Sequence, residues 1–232
     1  MNTKTTDLER EFRTPMGVVR CGQIILTIIF LLIFNQAYGQ DELDPTDIII
    51  SDFKVKMEKE NVSEYFILKK LQHGHLPPPP NNYPQNCKID SSFFTMYGFW
   101  FDGTEAWVKK YDSCGEVNSV RLSDTAVLEY YKNNFKEIKS REVERFKPRS
   151  DSVANGEAFT YISMASHTPL RFYWFFQGST QFEKSFDKYD LTTEDDHFNL
   201  NYESNNNLAI VKLNSICEAI IDSLYTEKKF IR

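Results

Sequence analysis

The chain has 232 residues, of which 41% are hydrophobic, 26% charged and 15% aromatic, with nine Gly and nine Pro; this is the profile of a folded domain and excludes a disordered or collagen-like polymer. Its 27 basic and 33 acidic residues leave a net charge of −6. A nucleic-acid surface needs a basic stripe, whereas Lys and Arg here alternate with acids, as in Lys136-Glu137-Ile138-Lys139, so the charge pattern argues against nucleic acid as a partner.

Residues 1–39 read as a signal peptide. The run GQIILTIIFLLIF, from Gly22 to Phe34, has the length of a signal h-region and is short for a bilayer span of roughly 20 residues. Arg13 and Arg20 precede it, and Ala37-Tyr38-Gly39 offers small residues at the cleavage positions, which makes Gln40 the new N-terminus. The alternative is an uncleaved signal anchor over residues 16–37, the one route to a membrane, which still leaves the main domain outside the cytoplasm. The expected location is therefore secreted, periplasmic or cell-envelope.

Residues 40–84 read as an N-terminal appendage with a Pro-rich spacer. Phe53, Val55 and Met57 alternate with charged residues as in a half-buried strand, and Asn61 with Glu64 resembles a helix cap, with Tyr65, Leu68 and Leu71 on one face of the helix that follows. One longer helix through both pieces fits the same residues. Pro77 to Pro80 cannot join a ladder and reads as a stiff extended segment.

The main domain is expected over 85–232. FFTMYGFWF, then Asp102-Gly103, then TEAWVKKY signals a hairpin, with Tyr97, Phe99 and Phe101 on one face and Phe94, Met96 and Trp100 on the other, so both faces need a cover. A helix follows from Ser123 to Ser140, with Val127, Leu128, Tyr131, Phe135 and Ile138 at helical spacing. AFTYISMA and LRFYWFF, joined by Ser166-His167-Thr168-Pro169, read as a second hairpin, and Phe182 and Phe186 as a further strand. Residues 190–206 read as an Asn-rich loop. From Asn207, Ile210, Leu213, Cys217, Ile221 and Leu224 form the apolar stripe of a last helix. The sum is an α+β fold, an antiparallel β-sheet built from hairpins with helices packed on one face.

In an oxidising compartment Cys87, Cys114 and Cys217 are an odd set. The hairpin brings Cys114 near Cys87, so these two are the expected disulfide, worth roughly 3 to 4 kcal/mol by loop closure. Cys217 lies on the apolar side of its helix and reads as a buried thiol.

Candidate chemistry is sparse. His73 and His75 point the same way in an extended chain and, with His197, are the candidate metal ligands. There is no nucleophile elbow and no phosphate-cradling glycine loop, so no cofactor is expected. Trp100, Trp107, Trp174 and Tyr97, with Tyr111, Tyr161 and Tyr173, concentrate on predicted strands; they either fill the core or form a platform for a carbohydrate, an apolar small molecule or a protein ligand. The function that fits is an exported binding or interaction module. The alternatives are an extracellular metal-dependent hydrolase and a membrane-anchored structural component of the envelope.

Overall fold

The computed structural model describes residues 44–73, 92–148, 153–154, 157–158, 168–193 and 198–231. Helix α1 spans Pro45–Lys59 and strand β1 Glu64–His73. Then come β2 (Ser92–Asp102), β3 (Glu105–Asp112), the short β4 (Gly115–Glu116) and β5 (Val120–Arg121), and helix α2 (Ala126–Ser140). The short β6 (Val153–Ala154) and β7 (Glu157–Ala158) pair only with each other. Strands β8 (Leu170–Gln177) and β9 (Thr180–Asp187), a 3-10 turn (Lys188–Leu191), α3 (Tyr202–Asn206) and α4 (Ala209–Thr226) complete the chain.

Seven strands form one antiparallel sheet in the order β4-β3-β2-β1-β8-β9, with β5 also on β3. The fold is α+β. Side-chain alternation splits the sheet into two apolar faces. On the first face Phe66, Leu68, Tyr97, Phe99, Val108, Tyr173 and Phe175 meet Val127, Leu128 and Tyr131 of α2 and Leu213, Cys217 and Ile221 of α4. On the second face Tyr65, Ile67, Met96, Trp100, Tyr111 and Phe176 meet Phe53 and Met57 of α1. The double apolar character of FFTMYGFWF thus has its cause: α2 and α4 cover one side and α1 covers the other.

The N-terminal pieces have the reverse of the expected order, helix first and strand second. Pro45 suits the first helical position, and Ile49, Phe53 and Met57 recur every four residues on the side that packs. Val55, read as part of an inward alternation, is 44% exposed on the opposite side. Asn61 then takes a left-handed φ of 56° and turns the chain into β1. Tyr65, Phe66, Ile67 and Leu68 are all buried because β1 is the central strand, flanked by β2 and β8, and a strand buried on both faces shows no alternation. A boundary at residues 84/85 therefore does not divide the fold, and Thr46–Arg232 forms one compact unit.

Two pairings also differ from expectation. Asp102 pairs with Glu105, so the turn is Gly103-Thr104, with Gly103 at φ +62° as a type II′ turn requires. Moving the turn by one residue shifts every partner by two, which leaves the assignment of faces intact. Both edges of β8 are taken, by β1 and by β9, so LRFYWFF does not pair with AFTYISMA; most of that segment lies outside the described residues.

Several polar groups inside this packing are matched. Tyr173 Oη donates to Asn214 Oδ1 at 2.9 Å with both residues buried. Tyr173→Phe should cost about 1 to 2 kcal/mol by stranding that amide oxygen, and urea unfolding with an unchanged m-value would measure it. The Asn-rich stretch is a clamp. Asn205 accepts the Glu144 N–H and donates to the Glu144 and Asp190 carbonyls, while Asn199 accepts the Lys147 N–H and donates to the Asp190 and Thr192 carbonyls. Among the described residues no helix is long and apolar enough to cross a membrane.

Candidate functional site

The four aromatic residues singled out from the sequence do not form one platform. Tyr97, 2% exposed, lies on the first face under the helices, where its hydroxyl is 3.1 Å from that of Tyr225. Trp100 is 3% exposed on the second face, in edge contact with Phe53 of α1. Trp107 stacks on Trp100 at 6.4 Å, and Lys56 Nζ stands 4.5 Å from the Trp100 ring. These residues hold α1 to the sheet. Tyr111 and Tyr173 are likewise buried, and Tyr161 lies outside the described residues.

Trp174 has a different setting. It is half-buried on the β8 part of the second face, beside Phe172, with ring centroids 6.4 Å apart and planes inclined by 23°. On the neighbouring β9, Trp174 faces Glu183 and Phe172 faces Ser185, and both partners are exposed. Toward β1 and β2, Lys69 Nζ lies 5.9 Å from the Phe172 ring and 5.0 Å from Phe94, and it donates to Thr46 Oγ1 at the start of α1. The result is an aromatic row bordered on one side by a row of hydrogen-bonding groups and on the other by an ammonium. Phe172, Phe94 and Lys69 escape a sequence reading because only the pairing of β8 with β1, and of β1 with β2, brings them to Trp174.

A cleft of about 350 Å³ on the far side of α1 is lined by Ile49, Asp52, Lys56, Lys109, Tyr111, Gly115 and Glu116. An ion pair of 2.6 Å between Lys109 and Glu116 crosses it, and this charged lining does not suit an apolar ligand.

The first face ends in a polar rung. Asp112, Thr95, Lys70 and Arg171 stand in register across β3, β2, β1 and β8, and all but Lys70, which is half-buried, are buried. Glu218 of α4 accepts from Arg171 Nη2 at 2.6 Å and Nε at 3.2 Å, and from Lys188 Nζ at 3.2 Å. Burial would raise the Glu218 pKa, but these two cations overcome that and lower it. The adjacent Cys217 thiol is buried and its pKa is raised, first by burial and then by the charge of Glu218, which makes it a packing residue and not a nucleophile.

The candidate metal ligands lie beyond reach of this geometry: His75 and His197 are outside the described residues, and His73 is described only as the last backbone position of β1. Among the described residues no three His, Cys, Asp or Glu side chains gather as a metal set would. Cys114 is disulfide-bonded and Cys217 is free; Cys87, the expected partner of Cys114, lies outside the described residues.

No family model, no curated protein and no solved structure matches this chain.

Proposed function

We propose that the protein is an exported, non-enzymatic binding module that takes a saccharide on the β8–β9 part of its second face. One observation carries the reading: the half-buried Phe172 and Trp174, two residues apart on one strand, face Ser185 and Glu183 on the next. A sugar ring has an apolar C–H face and an equatorial fringe of hydroxyls, so it needs an aromatic surface to stack on with hydrogen-bonding groups beside it. An apolar small molecule needs enclosure, whereas Phe172 and Trp174 are only half-buried and adjoin the exposed Glu183 and Ser185. Export is supported by the apolar run of residues 22–34 and by a bonded cysteine at position 114, since disulfides persist in oxidising compartments.

The test is a glycan array probed with the full chain and with Trp174→Ala. Wild-type protein should bind a limited set of glycans, and the variant should lose at least about tenfold in affinity, the value of one stacking contact of 1.4 kcal/mol or more. An identical profile for both proteins, or no glycan bound by either, would remove the reading.

A further inference from the structure

The polar rung on the first face breaks a rule of sheet construction. Lys70 and Arg171 are directly opposite each other on β1 and β8, and like charges so placed repel. Arg171 answers this with a partner at each of its three nitrogens: its Nε and Nη2 go to Glu218 and its Nη1 donates to the Leu170 carbonyl at 3.1 Å. Lys188 leans on the same carboxylate. The Lys70 ammonium has no hydrogen bond or ion pair among the described residues, although the side chain is half-buried beside both cations. Three cations thus converge where one carboxylate is bonded, with Asp222, one turn further along α4, as a second acid acting on Lys70. In an acidic chain such an excess is not a by-product of composition.

We propose that Lys70, Arg171 and Lys188 form a binding site for a small tetrahedral oxyanion, a phosphate or sulfate group, with Lys70 as its principal donor. The shape preference follows from which donors are free. The Nε/Nη2 fork of Arg171, the natural match for a carboxylate, is occupied by Glu218, which leaves the point-like ammonium groups of Lys70 and Lys188, on two different elements, as the main donors to a further anion. Burial lowers the Lys70 pKa; Arg171 and Lys188 act in the same direction, against Glu218 and Asp222. A bound oxyanion supplies the missing negative charge and raises that pKa again. The site lies on the opposite face of the sheet from the aromatic row and stands independently of it.

Lysine side-chain NMR on the full chain, titrated with inorganic phosphate at constant ionic strength, tests the proposal. The Lys70 Cε–Hε signal should shift with saturation, and the pH at which it titrates should rise in saturating phosphate. Lys70→Met keeps the aliphatic stem and should weaken phosphate binding, followed at Lys188, by at least about tenfold, as expected for one charge-assisted hydrogen bond. A linear response at Lys70 equal to that of the exposed Lys228 and Lys229, or full binding by Lys70→Met, would overturn it. Phosphatidylglycerol vesicles form a second arm. Because Lys70 is half-buried under α4 the site should prefer the free anion, and vesicle binding without any response to inorganic phosphate would also overturn the proposal.

Discussion

Gly98→Ala should destabilise the domain by about 3 kcal/mol, the upper range for overpacking a tight core, and should loosen α1 from the sheet. A Cβ built on Gly98 meets Phe53 Cζ at 2.4 Å and Cε2 at 2.5 Å. The ring has nowhere to go, since Tyr65, Trp100 and Tyr111 meet it edge-on with centroids 5.6 to 6.2 Å away and Phe53 is fully buried. Gly98 is thus the seat of α1, and the absence of a side chain there is a packing requirement. The pair can be isolated by a double-mutant cycle. Phe53→Ala alone should cost about 3 to 5 kcal/mol, and adding Gly98→Ala to it should cost almost nothing, because the clash has been removed. Additive losses would mean that α1 does not rest on Gly98.

Glu218→Gln should be nearly as damaging, at about 3 kcal/mol, because it leaves Arg171 and Lys188 without their shared counter-charge beside Lys70. Adding Lys70→Met should restore part of the loss by removing one of the stranded cations. The pH dependence has a definite sign. The Glu218 pKa in the folded state lies below its usual 4.5, so the native state binds this proton less readily than the unfolded state does. Its contribution is fully present above the unfolded value and disappears as the pH falls through the folded one. Wild-type protein should therefore lose stability on acidification below about pH 4.5, and Glu218→Gln should show a shallower loss over that range. A variant within about 0.5 kcal/mol of wild type at neutral pH, the range of ordinary surface changes, would show that the cluster contributes nothing to folding.

What could be read in the sequence depended on whether a pattern was local. The helix over Ala126–Ser140 and the one over Ala209–Thr226 follow from stripes of Val127, Leu128, Tyr131 and Ile138, and of Ile210, Leu213, Cys217, Ile221 and Leu224, each complete within its own segment. The β2–β3 hairpin follows from its aromatic alternation and its glycine, and a turn one residue further along the chain than the expected Asp102-Gly103 leaves both faces as expected. Over residues 45–73 the local pattern is ambiguous for a physical reason. A central strand covered on both sides carries a continuous apolar run, Tyr65 to Leu68, which resembles one side of a buried helix, and Phe53 with Met57 fits a period of two as well as one of four. The same limit applies to the candidate site. Trp100 and Trp174 look alike in sequence, each alternating in an aromatic strand; one is buried and the other half-open because α1 rests on Gly98, Trp100 and Tyr111 of β2 and β3. The facing of Lys70 and Arg171 was legible only once β1 was known to pair with β8.

The saccharide reading concentrates its claim on one of three indole rings, so the most direct measurement is ¹⁹F NMR of protein labelled with 5-fluorotryptophan, titrated with oligosaccharides. Trp100, Trp107 and Trp174 give one resonance each, assigned by single substitution. The Trp174 signal should move with saturation on binding, while those of Trp100 and Trp107, which pack beneath and beside α1, should stay in place. A saturating shift at Trp107 or Trp100 with Trp174 unmoved, or no response at Trp174 to any oligosaccharide, would contradict the assignment of the β8–β9 face as the binding surface.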